Sequence, residues 1–205
     1  MFSFLSAGTV LGLSAGFAPG PLLALVISET LQHDIKAGIR VALAPILTDL
    51  PIIIVSLIIL ANLSHFDKVL GFISLIGACF LLYLGIKNIN TAGMNINENT
   101  SPHRSLQKGI LVNALSPHPY LFWISVGGPT TIRAMDQSLP AALAFIGSFY
   151  ILLVGSKIVL AILVGKSRSF LLGNKYIYTM RLLGLILIIF AGFLFRDGFR
   201  LLGIF

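Results

Sequence analysis

Charged residues are scarce in this chain: 14 Lys and Arg and 7 Asp and Glu make up 10% of its 205 residues. Soluble globular domains carry roughly 25% charged residues and roughly 45–50% apolar ones, whereas this chain is 57% hydrophobic. So few charges cannot cover the surface of a water-soluble globule of this length, but a surface that faces lipid needs no such cover. The scarcity excludes an ordinary soluble domain and predicts an integral membrane protein.

Cysteine and the known catalytic and metal-binding patterns are also missing. Cys79 is the single cysteine, which excludes an internal disulfide, a Cys-x-x-Cys redox pair and a thiolate cluster. Inside an apolar run, it is expected to be a small packing residue. The four histidines lack metal-ligand spacing, and no Walker loop, HExxH or paired catalytic carboxylate occurs. We therefore expect no cofactor, no metal site and no enzymatic activity.

The net charge of +7 does not indicate nucleic-acid binding, since no basic patch is interleaved with aromatic residues. The basic residues lie between apolar runs, as is typical of the loops of a membrane protein. The N-terminal apolar stretch lacks the basic residues that begin a signal peptide, and it continues beyond Pro21. We interpret it as a retained first span.

Six apolar segments are each long enough, at about 20 residues, to cross a membrane as a helix. They are Phe4–Ser28, Ile39–Ala61, Val69–Ile89, Lys108–Gly128, Leu139–Gly165 and Met180–Leu202. Lipid offers backbone groups no hydrogen-bond partners, so the spans must be helical. The sequence therefore predicts a single all-α transmembrane domain over residues 1–205 with about six transmembrane helices.

A polar interval over about residues 91–107 divides the chain into two halves, about 1–90 and 108–205. The first segment of each half is broken by prolines, Pro19 and Pro21 in one and Pro117 and Pro119 in the other. The third segment of each half has two glycines eight residues apart: Gly77 and Gly85, and Gly184 and Gly192. Three helices is an odd number, so the halves are predicted to be inverted repeats. Paired, proline-interrupted segments are the best sequence indication of a transporter binding site.

Loop charges predict the orientation. The loops between spans 1 and 2, 3 and 4, and 5 and 6 carry nine Lys and Arg, against four on the opposite side. These three loops are therefore expected to face the cytoplasm and both termini to face outward, in the inner membrane of a prokaryotic cell. Glu29, His33, Asp34, Lys36 and Arg40 are interpreted as solvated residues of the first of these loops.

The first candidate binding segment contains Pro19, Gly20 and Pro21. Each proline lacks an N–H and its ring clashes with the preceding turn, while Gly20 removes side-chain restraint, so the helix must kink or unwind. Freed backbone groups at membrane depth are tolerated only where they face protein or a water-filled cavity. The segment is therefore either a binding site or a packing kink.

The second candidate segment places polar side chains beside the helix break. They are Asn113, Ser116 and His118, next to Pro117 and Pro119. His118 can bind or release a proton near neutral pH, or it can serve as a structural donor to a freed carbonyl. The aromatic run after Pro119 is either a belt at the membrane interface or the wall of a pocket, and the belt is favoured.

Asp49 and Lys157 are charged residues near the middle of predicted spans. A carboxylate at a helix centre costs about 2.5–3.5 kcal/mol on insertion scales, so such a residue normally faces a cavity or a partner. We hypothesise an Asp49–Lys157 pair in which Asp49 couples proton movement to substrate and Lys157 tunes it. A static pair that holds the halves together is the alternative.

In these motifs the sequence resembles the LysE family of lysine exporters, which has close relatives that export homoserine and threonine. The matching features are Pro19-Gly20-Pro21, Asp49, Tyr83-Leu84-Gly85-Ile86, and Ser116-Pro117-His118 followed by Phe122-Trp123. The family has Asn-Pro-Lys where this chain has Ser116-Pro117-His118. It has second-helix glycines where this chain has Ala44 and Thr48, and Pro45 and Pro51 are added here. These departures leave the substrate open.

The resemblance implies a secondary transporter that exports amino acids or related small polar solutes, driven by the proton gradient and working by alternating access. Export of metal cations on the same six-helix plan is the alternative, and an intramembrane enzyme that uses Asp49 and His118 is a further one. The expected partners are the small-molecule substrate, protons and the lipid bilayer. The oligomeric state, a homo-oligomer included, stays open.

Overall fold

The computed structural model describes residues 1–61, 66–90, 102–167 and 174–204, and within these ranges all regular structure is helical. The elements are α1 (Phe2–Phe17), α2 (Pro21–Gln32), α3 (Ile35–Ala42), α4 (Ala44–Ala61), α5 (Phe66–Ile89), α6 (Pro102–Ala114), α7 (Pro117–Phe122), a π-helical segment (Trp123–Gly127), α8 (Gly128–Gln137), α9 (Leu139–Lys166) and α10 (Asn174–Leu201). Most of the predicted polar interval, residues 91–101, lies outside the described residues.

Four helical segments are long and apolar enough to cross a membrane. They are Ile35–Ile54, Gly71–Ile89, Leu139–Lys166 and Ile177–Leu201, and the bent pair of α1 and α2 makes a fifth if it counts as one span. The predicted fourth span, Lys108–Gly128, is divided among α6, α7 and the π-helical segment. The structure thus shows an integral membrane protein with four to five candidate spans, while six spans in two inverted repeats stay a prediction.

The outer faces of the long helices are apolar. Leu50, Phe72, Leu143 and Ile151 are each more than 60% exposed, at 67%, 61%, 61% and 69%. A soluble monomer rarely exposes large apolar side chains in contiguous patches. These helices therefore present a surface suited to lipid.

Helix α1 packs against α9 through a stripe of glycines. Gly8, Gly12 and Gly16 are all buried, and a Cβ atom at Gly12 would collide with the backbone of Phe149 on α9. Small residues at every fourth position let two helix backbones approach closely. Through this contact, the first helix of the first predicted half packs against a helix of the second half.

Helices α5 and α10 pack through two reciprocal glycine pairs. A Cβ on Gly85 would meet the carbonyl oxygen of Gly184, and a Cβ on Gly184 that of Gly85; Gly71 and Gly198 are related in the same way. The paired glycines are 14 residues apart in each helix (71 and 85, 184 and 198), so α5 and α10 run antiparallel. Neither helix tolerates a larger residue at these contacts without moving its partner.

The glycines spaced eight apart differ in their surroundings: Gly77 packs against the backbone of Leu115, whereas no described atom of another helix lies within 4 Å of a Cβ built on Gly192. One expectation about these helices is wrong. Cys79 is exposed on α5, so it does not pack in the interior. Spacing along one helix shows which residues share a face, but it does not show what covers that face.

Candidate substrate-binding site

The break between α1 and α2 follows directly from its prolines, and the chain bends there by 60°. Pro19 has no N–H to donate to the carbonyl of Ala15, one helical turn before it. Ala18 leaves the helical conformation with ψ 126° and Gly20 is extended, with φ −161° and ψ 173°, so the helix does not continue through the segment. Pro21 then begins α2, where a missing N–H costs a helix nothing. The predicted interruption of the first span is confirmed.

Lys157 on α9 supplies the donors that this break removes. Its Nζ donates hydrogen bonds to the carbonyl oxygens of Ala15 (3.1 Å) and Gly16 (3.0 Å). The side chain is buried, with 3% of the residue exposed. The C-terminal end of a helix lacks donors and carries partial negative charge, so it stabilises a cation. Lys157 therefore anchors α9 to the broken end of α1.

The second break has the same plan with a different donor. Helix α6 ends at Ala114 and α7 begins at Pro117, with Ser116 between them in an extended conformation. The hydroxyl group of Tyr120 donates a hydrogen bond to the carbonyl oxygen of Ala114 at 2.9 Å. In both broken helices, freed carbonyls are thus satisfied by a side chain.

Neutral donors from two other helices hold the Asp49 carboxylate. Asn113 on α6 donates from Nδ2 to Oδ1 at 2.9 Å, and Tyr150 on α9 donates from its hydroxyl to Oδ2 at 3.1 Å. The Asn113 amide also donates to the hydroxyl oxygen of Thr48 at 2.6 Å. Asp49 is 4% exposed. The structure therefore buries a carboxylate whose hydrogen-bond partners carry no charge.

Asp49 and Lys157 do not touch directly: although the structure describes both residues, no ion pair within 4 Å joins them, and their hypothesised coupling stays a prediction. Lys157 makes no direct contact with Asp49 because its ammonium group binds the two carbonyls at the end of α1 instead. The two charges nevertheless interact electrostatically, and both side chains line one cavity.

That cavity, with a volume of about 310 Å³, lies between the two helix breaks. The sequence-selected residues that line it are Pro19, Gly20, Pro21, Asp49, Asn113, Ser116, His118 and Lys157. Pro117 is buried and is not one of the lining residues. Residues from four predicted spans thus meet at a single site, although they are spread over most of the chain.

The aromatic residues after the second break form a wall of the cavity. Trp123 is 2% exposed; the ring of Phe122 packs edge-on against it at 5.5 Å and stacks on Phe149 at 5.0 Å between centroids. The favoured expectation of an interfacial belt is therefore wrong for Phe122 and Trp123. Trp123 begins the π-helical segment, a type of irregularity that is frequent at functional sites.

Sequence reasoning missed a second buried carboxylate, Glu29. It was expected in a solvated loop, but α2 extends past it and it is 2% exposed. Its Oε1 accepts a hydrogen bond from Lys108 on α6, and the Nε2 of His33 lies 3.7 Å from its Oε2. Helical spacing was the available signal, because Glu29 follows the buried Leu25 by four positions and shares its face.

Comparison with known families adds a separate finding. A family model described as LysE type translocator matches residues 13–198, which include both breaks and both charged residues of the cavity. No curated protein and no solved structure gave a match. Within the described ranges, no three His, Cys, Asp or Glu side chains are grouped so that they could hold a metal ion.

Proposed function

The chain belongs to the LysE type translocator family, and from this premise we propose that it is an inner-membrane secondary transporter that exports an amino acid or a related small polar solute. The family is one of transporters, not enzymes. The observation that carries the proposal is the cavity between the two broken helices, which has one carboxylate, Asp49, and one ammonium group, Lys157, in its lining. A solute with one group of each charge is complementary to it.

The broken helix supplies further donors for the substrate's carboxylate. Leu22 and Leu23 lie in the first turn of α2 and line the cavity. No side chain forms a capping hydrogen bond at the start of this helix. The first N–H groups of a helix have no intrahelical acceptor, and they carry partial positive charge that attracts anions. We place the substrate's carboxylate between these N–H groups and Lys157, and its ammonium group at Asp49.

Proton coupling follows from the surroundings of Asp49. Because its partners Asn113 and Tyr150 are neutral and Lys157 binds the carbonyls of α1, the buried carboxylate has no direct cationic partner among the described residues. It gains from binding either a proton or the ammonium group of the substrate, and it cannot hold both. Competition for one carboxylate makes the release of one cation favour the binding of the other, which is the requirement for antiport.

For alternating access, we propose that the contact between Glu29 and Lys108 closes one side of the cavity. It joins α2 of the first half to α6 of the second. Glu29 lies seven residues beyond Leu22, about 10 Å along the helix axis. Nearby, the side-chain amide of Gln32 on α2 donates a hydrogen bond to the Oδ1 of Asn88 on α5 at 2.7 Å. Helix α5 is thus also bound to this end of α2. This end of α2 is the end nearest the loops whose charges predict the cytoplasmic side.

The two partners of this ion pair are expected to respond unequally to mutation. Lys108→Gln removes the ammonium partner of the buried Glu29 and leaves it the His33 imidazole at 3.7 Å, and it should lower the melting temperature of the purified protein strongly, by the equivalent of about 3–5 kcal/mol. Glu29→Gln should cost less, since the side chain of Lys108 is 20% exposed and can be hydrated. The double variant should be more stable than Lys108→Gln alone. A double variant that is less stable than either single variant would contradict the pairing.

Transport by vesicles that contain the purified protein tests the function. With an imposed pH gradient, we expect amino acids to accumulate in the acidic compartment, and a protonophore should abolish the accumulation. Protein-free vesicles are the control. Movement of divalent cations in place of amino acids would favour the metal-export alternative, and amino-acid movement that ignores the pH gradient would refute the coupling but not the transport.

A further inference from the structure

The charge inventory of the cavity restricts the side chain of the substrate, provided that the proposed function holds. Asp49 and Lys157 are the carboxylate and the ammonium group among the described lining residues, and His118 is the one other titratable side chain there. The two ends of an amino acid use one charge of each sign. A substrate with an acidic or basic side chain would therefore bring a third charge into a cavity whose charges are already matched.

One side of the wall is built from apolar groups. Phe122, Trp123, Phe149 and Leu153 line one side, and the rings pack against each other by stacked and edge-on contacts. Trp123, Phe149 and Leu153 are buried. Rings fixed in this way form a surface that is preorganised for an apolar side chain and gains from the area that it removes from water.

A lysine or arginine side chain has one favourable contact to offer this wall, a cation–π interaction with the rings. That interaction recovers only a part of the free energy lost when a charge leaves water without a counter-ion. A glutamate side chain would meet the negative faces of the same rings. The size of the cavity, about 310 Å³, is at the lower end of the roughly 300–1,000 Å³ typical of ligand pockets, which suits one amino acid better than a peptide.

We propose that the substrate is an α-amino acid with an uncharged, apolar side chain of the size of leucine, methionine or phenylalanine, which packs against Phe122, Phe149 and Leu153. Its ammonium group binds Asp49 and its carboxylate binds beside Lys157. The aromatic wall is thus the specificity-determining part of the site, and the broken helices recognise what all amino acids share.

Binding can be measured by the melting temperature of the detergent-purified protein with leucine, methionine, phenylalanine, lysine or glutamate at equal concentrations. A ligand that binds the folded state raises the melting temperature. We expect the first three to raise it and the charged amino acids to leave it unchanged. In counterflow with labelled leucine, unlabelled methionine and phenylalanine should compete at least 10-fold better than lysine or glutamate.

The variant Leu153→Ala tests the wall itself. It should reduce the preference for leucine over alanine in counterflow by about 10-fold, as expected for methylene groups lost from an apolar pocket. Ile151→Ala is the matched control, because Ile151 is on the same helix but 69% exposed. An unchanged preference in Leu153→Ala, or stronger binding of lysine or glutamate than of leucine, would overturn the side-chain assignment while the exporter function stands. No binding or transport of any amino acid would overturn the proposed function as well.

Discussion

Asp49→Asn is expected to reduce proton-driven export by about 100-fold while folded protein remains in the membrane. The amide cannot take up a proton, and it loses a charge-assisted contact to the substrate's ammonium group, which is worth about 1.5–3 kcal/mol. Each 1.4 kcal/mol is about a tenfold change in equilibrium. The fold should survive, since the new amide can still accept from Asn113 and donate to the hydroxyl oxygen of Tyr150. Initial export rates at equal membrane abundance give the measurement.

The control for Asp49→Asn is Asp136→Asn, which removes the same charge from an exposed position near the end of α8. It should export at the wild-type rate. Undiminished export by Asp49→Asn would remove Asp49 from the mechanism and leave it as a structural link between α4, α6 and α9. Export that persists but no longer responds to the pH gradient would instead separate substrate binding from proton coupling.

Lys157→Met is expected to impair both stability and export. The apolar replacement is of similar length, but it leaves the carbonyls of Ala15 and Gly16 without their donor. A buried unsatisfied acceptor costs about 1–3 kcal/mol, so two should lower the melting temperature of the detergent-purified protein by the equivalent of about 2–6 kcal/mol. The cavity also loses its cation, and the export rate should fall at least about 10-fold.

Two further variants separate these effects of Lys157. Lys166→Met makes the same substitution at the exposed end of α9 and should be neutral in both assays. Lys157→Arg keeps the donors and the charge, and it should restore part of the melting temperature, although the planar group does not reproduce the geometry of an ammonium group. A melting temperature in Lys157→Met equal to that of the wild type would show that the broken end of α1 does not depend on this lysine.

Several features could be predicted from the sequence because their causes are local. Proline removes a donor at its own position whatever surrounds it, so the breaks at Pro19 and Pro117 were visible in the sequence. The ordered motifs also identified the family that the family model confirms. Exact helix ends were less accessible: α6 begins at Pro102, earlier than its apolar content indicated, because a helix can continue through polar residues outside the apolar run.

Features that depend on partners distant in sequence were not predictable in this way. Helical spacing indicates the burial of Glu29, but its partner Lys108 is 79 residues away, and nothing along the chain indicates that contact. The preference for a belt over a pocket wall at Phe122 failed for the same reason. An aromatic run suits both environments, and only the packing of α9 against it decides between them.

By itself, then, the sequence determined the membrane character, the helical class and the positions of both breaks. Each of these follows from composition or from the covalent geometry of proline, and neither depends on what lies nearby in space. The tertiary structure decided how the charges are used. Asp49 and Lys157 share a cavity without forming a direct pair, because the first break frees two carbonyls and the folded chain brings Lys157 to them.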